Sequence, residues 1–221
     1  MKYLAAAVAA VTALALLAGC TMSTAPWPDA DEQRLSAQRT LTFAVAGDSL
    51  TTWDNESFPD PTGRFADVAW LRWVSSSRLQ LAGGYARGGA SAKDIATHFP
   101  DVEADVLVVM AGSNDLDDTS PYATLRSIEQ IIDEAGIDAV VLCAIPPRVG
   151  LTAEANAHNL KLIELAVEHD WLFVDPWISA RANNGGWIDD LSFDGIHPTP
   201  RAAHAAADAI SQAIFDAAEG R

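Results

Sequence analysis

Apolar residues along this chain follow two rhythms. Short unbroken runs at 41–46 (Leu-Thr-Phe-Ala-Val-Ala), 105–110, 139–145 and 171–174 have the length and composition of strands. The run Val106-Leu107-Val108-Val109 is the strongest of them. An apolar run without alternation suits a parallel strand covered on both faces. Residues 79–85 read as a further, weaker strand, interrupted by Gly83-Gly84. Between these runs the apolar spacing becomes helical. Ala66, Ala69, Trp70, Trp73 and Val74 predict a helix over 65–79, with both Trp facing the core. Residues 93–99 form a short helix or turn with Ser91 as N-cap. Leu125, Ile128, Ile132 and Ala135 stripe a helix over 121–135 that Gly136 stops. Another helix spans about 152–169. The last covers 199–218, with Thr199 as N-cap, Pro200 at N1 and a buried stripe of Ala203, Ala207, Ile210, Ile214 and Ala217. Strands alternating with helices, without internal repeat, predict an α/β fold: three layers, α/β/α, around a mainly parallel five-stranded sheet.

The beginning of the chain has a different character. Lys2 precedes an Ala/Leu/Val-rich stretch, residues 3–18, somewhat short for a membrane span. It ends in Leu17-Ala18-Gly19-Cys20, which resembles a bacterial lipobox. That resemblance implies a signal peptide over 1–19, a lipidated Cys20, a polar tether over 20–39, and a folded domain over 40–221. The domain would be exported and anchored to the membrane through Cys20. Cys143, the other cysteine, lies in an apolar run and reads as a small core residue, so a disulfide framework is excluded.

Charge narrows the partners. The formal net charge is −16, and without Lys2 there are 13 basic against 30 acidic residues. Such a balance argues against nucleic acid and anionic lipid surfaces and favours a neutral or weakly charged substrate. The chain is expected to act as a monomer. The Gly-rich stretch 86–92 lacks both the Gly-Lys-Ser/Thr and the G-x-G-x-x-G spacing of phosphate loops. His98, His158, His169 and His204 fit no ligand spacing with Cys, Asp or Glu, so neither metal nor other cofactor is expected.

Three polar turns stand out against this background. Gly47-Asp48-Ser49-Leu50 and Ala111-Gly112-Ser113-Asn114-Asp115 each follow a strong apolar run. Asp194-Gly195-Ile196-His197-Pro198 opens the last helix. Open α/β sheets bind ligands at the carboxyl ends of their strands, where such turns converge. Acyl transfer needs a nucleophile, a base, a group that orients the base, and donors for the oxyanion. The step from Asp194 to His197 can set a carboxylate against one imidazole nitrogen and leave the other for Ser49. Asp189 and Asp190 lack that spacing. Asp48 and Asp115 read as turn hydrogen-bonders rather than proton-transfer groups. The loop over 51–63, with Trp53 and Phe58, is expected to line the site.

These three blocks, in this order, resemble the SGNH hydrolases, also called the GDSL family of esterases and lipases, over residues 41–218. The resemblance implies a flavodoxin-like fold and a Ser49 nucleophile, with His197 as general base and acid and Asp194 as orienting carboxylate. It also implies an oxyanion hole made by the Ser49 N–H, the Asn114 amide and a backbone N–H of the 88–92 turn. The family's second block often reads Asn-x-x-x-Ser-Gly, whereas this chain has Arg87-Gly88-Gly89-Ala90-Ser91-Ala92. Matching Ser to Ser points to the Ala92 N–H; matching on Gly points to Gly89. The implied activity is hydrolysis of short-chain acyl or acetyl esters of lipids, glycans or small molecules. Trp53, Phe58 and Trp187 are available either for an acyl pocket or for the core. The competing reading is a non-catalytic envelope lipoprotein that binds a glycan or lipid on the same fold.

Overall fold

The computed structural model of the protein describes residues 39–53, 65–117 and 120–220. The signal segment, Cys20, most of the tether and Phe58 lie outside the described residues. Strands β1 (Leu41–Gly47), β2 (Leu79–Ala86), β3 (Val106–Val109), β4 (Val140–Cys143) and β5 (Leu172–Val174) form one sheet in the order β2-β1-β3-β4-β5. All four pairings are parallel. The helices are α1 (Ser49–Thr52), α2 (Ala92–His98), α3 (Pro121–Ala135), α4 (Thr152–His169) and α5 (Pro200–Ala218).

Side-chain alternation along the strands sorts the core into two halves. Phe43, Val45, Val106, Val108, Val141 and Cys143 face one side, where they meet Trp70, Trp177 and the Ala206, Ala207 and Ile210 stripe of α5. Ala44, Ala46, Leu107, Val109 and Leu142 face the other, against α2, α3 and α4 through Ile95, Ile128, Ile131 and Leu162. Burial on both faces explains the unbroken apolar runs of β1, β3 and β4. It also pushes the Cys143 thiol far above the usual range, so that cysteine is an inert packing residue.

Glycine in β2 has a steric cause. The β1–β2 register shifts between Phe43 and Ala44, and Gly84 then lies across from Val45 with φ +130°. A Cβ on Gly84 would sit 2.0 Å from the Val45 carbonyl oxygen.

One predicted helix is absent. Residues 65–79 contain only a single 3-10 turn, Trp70–Trp73, after which Val74 is extended. The Ser75-Ser76-Ser77 run disfavours helix because hydroxyls compete for backbone groups; Ser76 Oγ accepts the Arg78 N–H at 3.2 Å. The apolar spacing seats Trp70, which is fully buried and donates its indole N–H to Thr51 Oγ1 at 3.1 Å. Trp73 reaches only the margin of the core. At the start of α5, Thr199 occupies the N-cap position and Pro200 follows it, but the Thr199 side chain makes no capping bond.

Gly84→Ala forces β1 and β2 apart beside the first polar turn. The expected cost is ~1–3 kcal/mol, as for other overpacked sites, read as a lower urea midpoint. An unchanged midpoint would contradict the steric account.

Candidate active site

Strand β1 delivers Ser49 to the carboxyl edge of the sheet. Gly47 permits the tight exit, because a Cβ there would lie 2.1 Å from Thr51 Oγ1. Asp48 caps α1 by accepting the Leu50 N–H at 2.9 Å. The Ser49 hydroxyl lies 2.9 Å from His197 Nε2. His197 Nδ1 lies 2.7 Å from Asp194 Oδ2. A carboxylate only accepts, so Nδ1 carries the proton and Nε2 offers its lone pair to Ser49.

The Asp194–His197 turn holds itself in place. Asp194 Oδ1 accepts the Ile196 N–H at 2.9 Å and the His197 N–H at 2.7 Å, while Gly195 supplies φ +85°. Partial burial opposes ionisation of Asp194, but the bonds from the His197 ring, its N–H and the Ile196 N–H outweigh it and hold the carboxyl below the usual range. Trp187 braces this turn from beneath. Its ring meets Trp177 edge-on, with centroids 6.1 Å apart, and its N–H donates to the Gly195 carbonyl at 3.1 Å. Of the sequence's two options for Trp187, structural packing is therefore the one realised.

The third turn joins the first two. Gly112, at φ +107°, leads β3 into a 3-10 turn, Ser113–Asp115. The Asn114 amide donates to Asp48 Oδ2 at 3.1 Å and to the Ala90 carbonyl at 3.0 Å. Asp115 Oδ2 accepts the Ala92 N–H at 3.0 Å. The Ala92 N–H, the first of the two expected backbone donors, is thus engaged at rest. Neighbouring N–H groups are also bonded, Ala90 to the Arg87 carbonyl and Ser91 to Asp94 in a capping box. Gly89, the other expected donor, has φ +75° and open space where a Cβ would stand.

Two residues outside the blocks support the Asn114 turn. Arg148, just after the Pro146-Pro147 pair that ends the β4 run, donates to the Ser113 carbonyl. Buried His158 donates from Nε2 to the Ala111 carbonyl at 3.2 Å, and burial keeps its ring neutral. Nothing in the sequence signalled either role, because each acts on a carbonyl distant along the chain.

Asp48 and Asp115 are hydrogen-bonders, as expected, but both are buried. Burial raises both carboxyls. Asp48 is pushed up to about 7; the bond from Leu50 and the Arg148 charge oppose this, and the Asp115 charge reinforces it. No group of three or more potential metal ligands occurs among the described residues.

Fold and site together define a three-layer α/β protein whose strand-end turns bring a serine, a histidine and an aspartate into one hydrogen-bonded row. The profile of the GDSL-like lipase/acylhydrolase family matches residues 45–205, and the chain belongs to that family. It is a carboxylic ester hydrolase of the SGNH/GDSL type. Solved structures share the fold, among them the following three. A G-D-S-L family protein from Desulfitobacterium hafniense aligns at TM-score 0.64 and 13% identity over 78% of this chain and 99% of its own. A GDSL-like lipase from Bacteroides thetaiotaomicron aligns at 0.62 and 16%, over 79% and 88%. A variant of an acetyl-xylooligosaccharide esterase from Geobacillus stearmophilus aligns at 0.58 and 16%, over 80% and 94%. Comparison with curated proteins yields no match.

The Asp48 carboxyl makes stability depend on pH. With a native value near 7 and an unfolded value near 3.8, native Asp48 keeps its proton where the unfolded chain has lost it. Its contribution, at most ~4 kcal/mol, is present below about pH 4 and is lost as pH rises to about 7. Relative to wild type, Asp48→Asn is expected to gain stability between about pH 4.5 and about pH 7.5. Parallel urea midpoints for the two proteins across that range would rule this out.

Proposed function

We propose that the protein is a serine esterase that cleaves short-chain acyl or acetyl esters through a Ser49–His197–Asp194 triad and an acyl-enzyme. The observation that carries this reading is the continuous relay: hydroxyl to imidazole at 2.9 Å, imidazole to carboxylate at 2.7 Å.

The steps follow from the geometry. Ser49 Oγ attacks the ester carbonyl as His197 Nε2 takes its proton. Asp194 holds the ring in the required tautomer and stabilises the imidazolium. Collapse of the tetrahedral intermediate expels the alcohol, which receives the proton from Nε2. Water then enters and, as the same nitrogen takes its proton, its oxygen attacks the acyl carbon; the Ser49 Oγ–acyl bond breaks, Nε2 returns the proton to Ser49 Oγ and the acid leaves. Negative charge on the former carbonyl oxygen requires donors. The Ser49 N–H lies in the first turn of α1, where no intrahelical acceptor exists. The Asn114 amide, on releasing one of its two resting bonds to Asp48 and the Ala90 carbonyl, and the Gly89 N–H are the other two donors in this reading. Short acyl groups, acetyl among them, are the favoured acids; the Geobacillus neighbour is named for acting on acetylated oligosaccharides.

Ser49→Ala is expected to fold normally and to lose hydrolysis of a short-chain aryl ester. Turnover equal to wild type would remove Ser49 from the mechanism. Asn114→Ala should lower kcat by ~10²–10³, the effect of one lost oxyanion donor. Steady-state kinetics showing only a raised KM would exclude Asn114 from the oxyanion hole.

A further inference from the structure

Two large aromatic rings stand beside the catalytic imidazole. Trp53 is 37% exposed and Phe193 53%, whereas Trp70 and Trp177 are fully buried. The Trp53 ring meets His197 edge-on with centroids 4.7 Å apart; Phe193 lies nearly parallel to His197 at 5.9 Å. Trp53 and Phe193 are themselves 5.6 Å apart at 63°, so their rings form an open corner against the imidazole. Hydrophobic burial does not account for rings left this open.

Trp53 is also held against its backbone preference. Its φ is +74° and ψ −57°, a region a bulky side chain rarely adopts. The bond from its N–H to the Ser49 carbonyl at 2.8 Å fixes it there. Strain of this kind persists where the surroundings over-determine a residue, commonly at a ligand site.

Position relative to the chemistry says which half of an ester these rings would touch. The acyl carbon must lie at Ser49 Oγ and its oxygen toward Asn114. The alcohol oxygen must lie by His197 Nε2, which returns the proton to it. Groups flanking His197 therefore face the alcohol half. Its charge is constrained as well: Asp194 bonds the catalytic imidazole, and the whole chain carries −16. An anionic alcohol, such as a phosphorylated headgroup, is repelled. A neutral ring with an apolar face for the aromatic corner and hydroxyls for the surrounding water and carboxylates fits best.

Resting on the serine-esterase reading, we propose that Trp53 and Phe193 form the alcohol subsite and that the alcohol half of the substrate is a neutral carbohydrate. The rings stack on the sugar's C–H face and set the ester oxygen at His197 Nε2. The two residues are specificity determinants and take no part in proton transfer.

The test keeps the acyl group constant. Kinetics for wild type, Trp53→Ala and Phe193→Ala are compared on an O-acetylated methyl glycoside, cyclohexyl acetate and ethyl acetate. The deciding quantity is the ratio of kcat/KM for the glycoside to that for ethyl acetate, in which any common disturbance of His197 cancels. Wild type is expected to favour the glycoside. Each variant should lower the ratio about tenfold, the scale of a lost aromatic contact, mainly through KM. An unchanged ratio in both variants, or wild type favouring ethyl acetate, overturns the subsite. Cyclohexyl acetate turned over as well as the glycoside overturns the carbohydrate assignment. Phe193, exposed and outside any regular element, keeps the test decisive if Trp53→Ala does not fold. Labelling of wild-type Ser49 by a fluorophosphonate separates the two levels: labelled protein without the ratio effect sinks the subsite alone, and unlabelled protein sinks the esterase reading with it.

Discussion

Both hydrogens of the Asn114 amide are engaged at rest, one on Asp48 and one on the Ala90 carbonyl. This side chain ties together the turns that follow β1, β2 and β3. The tie is possible because the strand order places β1 between β2 and β3, so their carboxyl ends are neighbours. Each turn has its own steric device for reaching the amide: Gly47 against Thr51, Gly112 against His158, and Gly89 at positive φ. The Ala92–Asp115 bond repeats the link one residue further out. Bonds to buried acceptors cost the full desolvation of the partner when lost, so the three turns form a unit rather than three independent loops.

The same network restricts its own electrostatics. Asp48 caps α1 and holds Asn114, yet neither of these contacts carries a positive charge. Arg148 acts on it only from a distance, and Asp115 repels it. A carboxyl placed for geometry is thus buried at an energetic cost. Asp194 is the contrast. It is only partly buried and accepts three hydrogen bonds within a four-residue turn, so it stays ionised and can orient His197. Two aspartates, one beside Ser49 and the other three residues from His197, are given opposite protonation preferences by their surroundings.

The His197 turn is separated from the others in sequence and meets the first of them through the hydroxyl–imidazole contact and the Trp53 ring. Trp187, Trp177 and the α5 stripe hold it on the opposite side of the sheet from α2, α3 and α4. Leu50, next to Ser49 in α1, packs in that same half of the core, so the Ser49–His197 relay joins elements on one side of the sheet.

Much of this was legible in one dimension. The unbroken runs of β1, β3 and β4 and the stripes of α3 and α5 encode which faces are buried, and burial follows a local period. Ser49, Asn114, Asp194 and His197 were legible because each block carries its own turn chemistry. The spacing around Trp70 and Trp73 misled because one buried ring and one marginal ring imitate a helical stripe, while three serines prevent the helix itself. Arg148, His158 and the role of Trp187 were not legible, since each supports a carbonyl 8 to 47 residues away and any polar side chain in sequence has the same appearance. Nor could spacing decide between Ala92 and Gly89, because both have an N–H and only the Asp115 contact tells whose is engaged. The sequence by itself determined the layers, the strand-end turns and the polar side chains those turns carry, all properties of local pattern. Tertiary structure alone decided which donors are engaged at rest, which carboxyls burial raises and which aromatic rings stay open beside the imidazole, because each depends on neighbours that only folding brings together.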